Sequence, residues 1–362
     1  MPYPVPENRL FLVRGNTTLI RHRQRNAYKA VTKIPEKVSV ELDTSKFDLV
    51  RAAELMRLSN FSYELYDQFK DGKIWEIPAP FDKYFYKNPI TVIYAPSEKV
   101  DSAYGESNTG PISIPIPMGF ITESISSNDI YISWRGTKTI YEWIQDATFE
   151  QVPCSFLPSP QNEMVHKGFF TLYTSDSAAH PSPQNAVKNY LDGLTDKHKK
   201  RVWITGHSLG GAMCVLNTCD ILANIPGFKS VITYNFASSR VGDVDFVKTF
   251  NSKILINGKP SSWRIPNDGY DIVTMLPPEV MGYKHVNELY SITFGNKLPV
   301  PPTISEILKN HNHSTYFITL TQLLKENGFT AKQLKDIHFS YAELVAAGYT
   351  ISELIDAGFI VI

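Results

Sequence analysis

The chain has 362 residues, of which 43% are hydrophobic, 20% charged and 12% aromatic, a composition typical of a globular protein that buries a large core. Its 36 lysine and arginine residues balance 36 aspartate and glutamate residues, so no overall charge attracts nucleic acid and we expect no nucleic-acid partner. No segment reaches the roughly 18 continuous apolar residues of a membrane-spanning helix, so only peripheral contact with a membrane or lipid interface is expected.

The first predicted unit is a basic N-terminal extension, residues 1–45. Between Arg9 and Lys37 it has eight basic residues and one acidic residue, Glu36. Two interpretations stay open: a solvated extension, or a segment attracted to an anionic membrane surface. The start lacks the pattern of a secretory signal, and the three cysteines form no disulfide framework or metal-ligand spacing. Both observations favour an intracellular location.

The middle of the chain alternates between helical and strand patterns. Apolar residues from Phe47 to Leu65 recur at intervals of three and four and predict a long amphipathic helix. Runs rich in β-branched and aromatic residues predict strands at 91–95, 129–134, 201–205, 231–237, 262–265 and 290–294. Helical patterns occupy 184–198 and 208–224. The alternation predicts an α/β fold with a mainly parallel central sheet covered by helices on both faces.

The segment 318–362 contains a ten-residue repeat. Its repeated positions are Phe329, Phe339, Tyr349 and Phe359, with Leu334, Leu344 and Leu354 between them. A threonine or serine after each of the first three aromatic residues suits the N-cap of a short helix. We predict a short helical array, which either caps the main domain or is a docking surface for a protein partner.

Ser208 lies in the stretch WITGHSLGGA at 203–212, between a predicted strand and a predicted helix. A Gly-x-Ser-x-Gly string alone is a weak signal, but a strand, a sharp turn and a helix in that order form a nucleophile elbow. Glycine at 206, 210 and 211 would remove collisions with the flanking strand and helix. The helix N-terminus would direct its amides at a developing oxyanion. The pattern predicts a serine hydrolase.

A serine nucleophile requires a base and a carboxylate that orients the base. On this type of sheet the chain order is Ser, Asp, His. The acids that follow the strand at 262–265 are Asp268 and Asp271. The downstream histidines are His285, His311, His313 and His338. A metal pair of His311 and His313 is disfavoured because no third ligand lies nearby in the sequence.

Seven motifs in order resemble the class 3 lipases, the fungal triacylglycerol lipase type of the α/β-hydrolase superfamily, over residues 46–317. They are WRGT at 134–137, TIYEWIQD at 139–146, VHKGFF at 165–170, ITGHSLGGA at 204–212, FASSRVGD at 236–243, DIVTMLPP at 271–278 followed by YKHVNELY at 283–290, and NHSTYF at 312–317. The resemblance implies an α/β-hydrolase domain over 46–317, followed by the repeats of 318–362.

The positions in these motifs imply the parts of a catalytic triad. Ser208 is implied as the nucleophile, Asp271 as the carboxylate and His313 as the base. Asp268 is the second choice for the acid. His285 lies in a family motif, at a position that resembles a structural histidine near the site.

The resemblance also implies an oxyanion hole and a lid. The amides of Thr137 and Leu209 would hold the oxyanion. The segment 138–148, with Ile140, Trp143 and Ile144, resembles the amphipathic lid of this family; a permanently docked surface helix is the alternative.

The expected function is hydrolysis of the carboxylic ester bonds of lipids, most of all acylglycerols, through an acyl-enzyme and without a metal or an organic cofactor. The expected partner is a lipid or ester substrate. Two alternatives stay open: a phospholipase A1 or soluble carboxylesterase on the same scaffold, and a catalytically silent scaffold that binds partners through 318–362.

Overall fold

The computed structural model describes residues 43–96, 115–137, 148–158, 162–177, 179–286, 288–298 and 302–359. Thr44–Ile362 form one compact unit. Residues 1–42 of the basic extension and the implied lid residues Ile140, Trp143 and Ile144 lie outside the described residues, and the domain boundaries at 45 and 317 stay predictions.

A seven-stranded mixed sheet carries the site. In spatial order its strands are β1 (Thr91–Pro96), β2 (Pro115–Glu123), β3 (Asp129–Trp134), β6 (Arg201–His207), β7 (Ser230–Phe236), β11 (Ser262–Ile265) and β13 (Glu288–Leu289). The β1–β2 and β2–β3 pairs are antiparallel, and the pairs from β3 to β13 are parallel. The predicted α/β-hydrolase fold with a mainly parallel sheet is confirmed.

The remaining short strands of the described chain form two small antiparallel sheets. One contains β4 (Gln151–Pro153), β5 (Met164–His166), β8 (Gly242–Asp243) and β12 (Tyr283–Lys284), and the other contains β9 (Leu255–Ile256) and β10 (Lys259–Pro260).

The sheet differs from the predicted strands at two places. β2 was not predicted, because Pro115, Pro117 and Gly119 are residues that usually interrupt strands. Glycine is required at 119, since a Cβ there would lie 2.1 Å from the backbone oxygen of Ser133 on β3. The strand expected at 290–294 is displaced to β13.

Helices cover both faces of the sheet. They are α1 (Leu49–Lys70), α2 (Phe81–Tyr84), α3 (Lys167–Thr174), α4 (Pro183–Asp192), α5 (Leu209–Asn224), α6 (Val244–Lys253), α7 (Ile304–Asn310), α8 (His313–Glu326), α9 (Ala331–Asp336), α10 (Tyr341–Ala346) and α11 (Ile351–Asp356). Short 3₁₀ turns occur at Lys197–Lys199, Ile272–Met275 and Glu279–Met281.

Alternation along β6 separates the two helical layers. Thr205 donates to the Leu55 carbonyl of α1 at 3.1 Å, whereas Val202 and Ile204 pack in the core that contains the apolar residues of α5. Because neighbouring side chains of a strand point to opposite faces, α1 and α5 lie on opposite sides of the sheet. Helix α8 packs on α1 and adds a further layer.

The repeats at the end of the chain form α9, α10 and α11. Each helix begins with a capping box, in which a threonine or serine and the residue three positions later exchange hydrogen bonds; the three boxes are Thr330 with Gln333, Ser340 with Glu343, and Thr350 with Glu353. Two lysines connect units that are not adjacent: Lys325 donates to the Gly348 carbonyl and Lys335 to that of Gly358.

A buried arginine joins these repeats to α1. Arg57 is 5% exposed and makes two hydrogen bonds to the carboxylate of Glu343 on α10, at 2.8 and 3.2 Å. Its guanidinium also lies over the rings of Phe81, Phe317 and Phe339. The repeats therefore pack against the same helix that covers the sheet.

Candidate active site

Ser208 occupies the sharp turn between β6 and α5. Its φ of 62° and ψ of −126° lie in a region that side-chain-bearing residues rarely adopt. A Cβ on Gly206 would lie 2.4 Å from the Gly210 carbonyl oxygen, and a Cβ on Gly210 would lie 2.4 Å from that of Trp134. Glycine at these two positions is what allows strand, turn and helix to meet at Ser208.

Three side chains form a continuous hydrogen-bonded chain. His311 Nε2 lies 2.7 Å from Ser208 Oγ, and His311 Nδ1 lies 2.7 Å from Asp271 Oδ2. All three residues are at most 5% exposed. Since a carboxylate only accepts, His311 Nδ1–H donates to Asp271, and Nε2 is left to accept the Ser208 hydroxyl proton.

His313, which the resemblance implied as the base, is bound elsewhere, and His311 takes that place. His313 is the first residue of α8, whose N-cap is Asn312. The helix directs the His313 ring to α1, where Nδ1 lies 2.8 Å from Asn60 Oδ1. His311 is the C-cap of α7, so it lies in the short link between two helices. The sequence contained a signal, because His311 was among the downstream histidines.

Asp271 is held by its surroundings as well as by His311. Oδ1 accepts from the Val273 amide at 3.0 Å, and Oδ2 accepts from the Tyr316 hydroxyl at 2.9 Å. The Tyr316 hydroxyl in turn accepts from the Asn267 amide at 2.8 Å. Burial, followed by the charge of Asp271, raises the pKa of Tyr316 well above its usual value, so this hydroxyl stays a donor. Asp268, the second choice for the acid, is exposed.

Two asparagines fix the loop of Asp271 against the end of α7. Asn267 Nδ2 donates to the Asn310 carbonyl at 3.1 Å, and Asn310 Nδ2 donates to the Tyr270 carbonyl at 3.0 Å. Both asparagines are at most 1% exposed. These reciprocal bonds hold Asn310 beside the loop that contains Tyr270. They thereby hold His311 close to Asp271.

Two further histidines near the triad are held neutral. Burial lowers the pKa of His285 to about 3, and its Nε2 lies 2.7 Å from the Thr274 carbonyl. Burial, with the charges of His311 and His313 as further causes, lowers the pKa of His207 well below its usual value. Neither ring bonds to Ser208, so both belong to the supporting structure.

The two residues implied as oxyanion donors border Ser208. Leu209 is the first residue of α5, where the helix amides have no intrahelical partner. Thr137 follows Gly136, whose Cα is so close to the nucleophile that a Cβ would lie 2.9 Å from the Ser208 Cβ. Thr137 and Leu209 are each 7% exposed.

Within the described ranges, no group of three or more histidine, cysteine, aspartate or glutamate side chains could hold a metal ion. No helix in the same ranges combines the length and the apolar character that crossing a bilayer requires.

Residues 131–281 match the family model described as lipase (class 3). A lipase of Rhizomucor miehei is 32% identical over 201 residues, which cover 55% of this chain and 51% of the relative. Phospholipase A1-II 1 of Oryza sativa subsp. indica is 34% identical over 155 residues, which cover 37% of this chain and 39% of the relative. The chain thus spans about half, or less, of the length of these curated relatives.

A solved structure of Rhizomucor miehei triacylglyceride lipase superposes with a TM-score of 0.50 at 27% identity, over 68% of this chain and 82% of that chain. The superposed region is longer than the segment matched by the family model. The fold, the elbow and the sequence match agree in their similarity to the class 3 lipases, which the family model places at residues 131–281.

Proposed function

We propose that the chain is a serine hydrolase that cleaves carboxylic esters of lipids through Ser208, His311 and Asp271. The observation that carries the proposal is the position of His311, whose two ring nitrogens lie 2.7 Å from Ser208 Oγ and from Asp271 Oδ2. A buried serine bonded in this way to an oriented imidazole is the arrangement that activates a hydroxyl for attack on an acyl group.

The proposed reaction proceeds through an acyl-enzyme. His311 Nε2 takes the Ser208 proton as Oγ attacks the ester carbonyl carbon, and Asp271 stabilises the imidazolium. The tetrahedral intermediate collapses, and the alcohol leaves with the proton from His311. Water, deprotonated by the same nitrogen, then attacks the acyl-enzyme and releases the carboxylic acid.

The oxyanion of each tetrahedral intermediate is proposed to be held by the amides of Thr137 and Leu209. The position of Leu209 at the start of α5 supports this, because the positive end of the helix dipole favours negative charge there. Removal of one such donor typically costs about 2.7–4 kcal/mol of transition-state stabilisation.

Acylglycerols are the first proposed substrate class. The Rhizomucor miehei lipase, which is similar to this chain both in sequence and in its solved structure, is named a triacylglyceride lipase. A phospholipase A1 is the second candidate, favoured by the similarity to the phospholipase A1-II 1 of rice. A lid formed by 138–148 would suit either substrate; that segment stays a prediction from the sequence.

Two further interactions are proposed. Residues 318–362 are proposed as a surface for a protein partner, since Ile351 and Ile355 of α11 are 60% and 54% exposed. Peripheral contact with a lipid interface is proposed because the substrates of such enzymes are presented there.

One experiment tests the function. The chain is incubated with a fluorophosphonate probe and assayed in parallel on emulsified triglyceride, phospholipid vesicles and a dissolved p-nitrophenyl ester. Ser208→Ala should retain its melting temperature, lose labelling and lose all three activities. Normal turnover by Ser208→Ala would refute the mechanism, and the ranking of the three substrates separates lipase, phospholipase and esterase.

A further inference from the structure

We infer that Tyr63 of α1 is a positioning residue for the oxyanion hole, because its hydroxyl joins the loop before Thr137 to the elbow before Ser208. The inference rests on the proposed function. Tyr63 lies far from every motif in sequence, and it contacts the site only through the fold.

The Tyr63 hydroxyl contacts Gly136, the residue before Thr137. A Cβ on Gly136 would lie 2.1 Å from the Tyr63 hydroxyl oxygen, so that hydroxyl packs directly on the glycine backbone. Tyr63 is 4% exposed, so this contact is buried.

The same hydroxyl contacts His207, the residue before Ser208. The Tyr63 hydroxyl lies 3.0 Å from His207 Nδ1. Burial lowers the pKa of His207 well below its usual value, so this bond joins two uncharged groups. One buried hydroxyl therefore packs against the oxyanion loop and bonds to the residue that precedes the nucleophile.

Arg135 holds the carbonyl of Gly136. Arg135 is fully buried and its Nη1 donates to the Gly136 carbonyl at 2.9 Å, while its Nε donates to the Pro117 carbonyl at 3.1 Å. The guanidinium also lies 3.9 Å from the ring centre of Tyr66. Gly136 is thus packed against the Tyr63 hydroxyl on one side and bonded at its carbonyl by Arg135.

The bond from Arg135 determines the direction of the next amide. The peptide unit is planar and trans, so the carbonyl of Gly136 and the amide of Thr137 point in opposite directions. With the carbonyl directed to Arg135, the Thr137 N–H points away from the arginine. Rotation of this peptide would break the bond to Arg135, so the donor is oriented before substrate arrives, as electrostatic stabilisation of an oxyanion requires.

The ring of Tyr63 is itself fixed by His313. The two rings stack with centroids 4.1 Å apart and planes 8° apart, and His313 is bonded to Asn60 on the preceding turn of α1. His313 therefore has a role in the site as the support of Tyr63.

Tyr63→Phe tests the inference. The variant removes the hydroxyl that packs on Gly136 and bonds to His207, and it keeps the stacked ring. On a dissolved p-nitrophenyl ester, with active sites counted by complete fluorophosphonate titration, kcat should fall about 10- to 100-fold, less than the about 10²- to 10³-fold cost of deleting an oxyanion donor. KM should stay within about twofold, because only transition-state binding is lost.

A second measurement separates positioning from a loss of stability. A trifluoromethyl ketone forms a tetrahedral oxyanion on the serine, so its Ki should rise by the factor by which kcat/KM falls. Tyr234→Phe is the matched control: this buried hydroxyl accepts from the Asp48 amide at the other end of α1, and its loss should lower the melting temperature and leave kcat and Ki unchanged. Arg135→Lys, which disturbs the other half of the clamp, should repeat the paired change in kcat and Ki.

An unchanged kcat and Ki in Tyr63→Phe would overturn the inference, and so would a lower melting temperature without the paired change. A wild-type chain that is neither labelled at Ser208 nor active on any ester would instead overturn the proposed function.

Discussion

His311 and His313 are separated by one residue, yet they bind different parts of the molecule: His311 bridges Ser208 and Asp271, and His313 bonds to Asn60 of α1. The separation arises because α7 ends at Asn310 and α8 begins at His313. Two imidazoles in one short segment can therefore have unequal roles.

Replacing the two histidines one at a time should separate these roles. His311→Ala removes the base and should lower kcat about 10⁴- to 10⁶-fold. His313→Gln removes a stacked pair worth about 0.5–1.5 kcal/mol, so kcat of this variant should fall by no more than about tenfold. Ester turnover at saturating substrate measures both, and the reverse ranking would restore His313 as the base.

Substitution of Asp271 and of Asp268, the two acids of the loop after β11, should likewise have unequal effects on kcat. Asp271→Asn retains the volume but favours the wrong tautomer of His311, and kcat should fall about 10⁴-fold. Asp268→Asn is the control, because Asp268 is exposed and its carboxylate accepts only a long bond, 3.5 Å, from Ser291 among the contacts described. A larger effect at 268 than at 271 would contradict the assignment.

The elbow could be predicted because its signal is local: the glycines around Ser208 are required by contacts within a few residues or with the adjacent strand. For the acid, the loop after the predicted strand at 262–265 offered both Asp268 and Asp271, and the resemblance to the family selected Asp271. The base could not be chosen in this way, because the register of the helix break between His311 and His313 decides it. Tyr63 reaches His207 across 144 positions of sequence, and no local pattern predicts such a contact.

The pairing of Arg57 with Glu343 should contribute to the stability of the whole unit. Glu343→Gln keeps the acceptor of the capping box but leaves the buried guanidinium of Arg57 without its counter-charge. The Glu343 side chain is only 20% exposed. The free energy of unfolding in urea should fall by about 1–3 kcal/mol. Glu150→Gln breaks an exposed pair with Lys167 and should cost less than about 1 kcal/mol; equal losses would show that the repeats are only loosely attached.

His166 should make stability depend on pH. Burial lowers the pKa of His166 to about 4, and its Nδ1 caps α3 by accepting from the amides of Gly168 and Phe169. In the unfolded chain this histidine binds a proton at its ordinary pKa, near 6.5. The stabilisation from neutral His166 is therefore fully present above pH 6.5. The free energy of unfolding falls as pH drops from 6.5 toward 4, by up to about 1.4 kcal/mol per pH unit.

His166→Asn keeps a side chain that can cap the helix and removes the titration. Between pH 7 and pH 5 the variant should therefore lose about 2 kcal/mol less unfolding free energy than the wild type. The exposed His198→Asn should follow the wild-type curve, and identical curves for all three proteins would contradict the assignment.

The backbone conformation at Ser208 lowers the stability of the fold, although the proposed catalysis requires a serine there. A φ of 62° with a ψ of −126° costs a residue with a Cβ about 1–3 kcal/mol, and glycine would avoid that cost. Ser208→Gly should therefore unfold at a higher urea concentration than Ser208→Ala, although both are inactive. Serine at position 208 therefore lowers stability relative to glycine, and its hydroxyl is what the proposed chemistry requires in return.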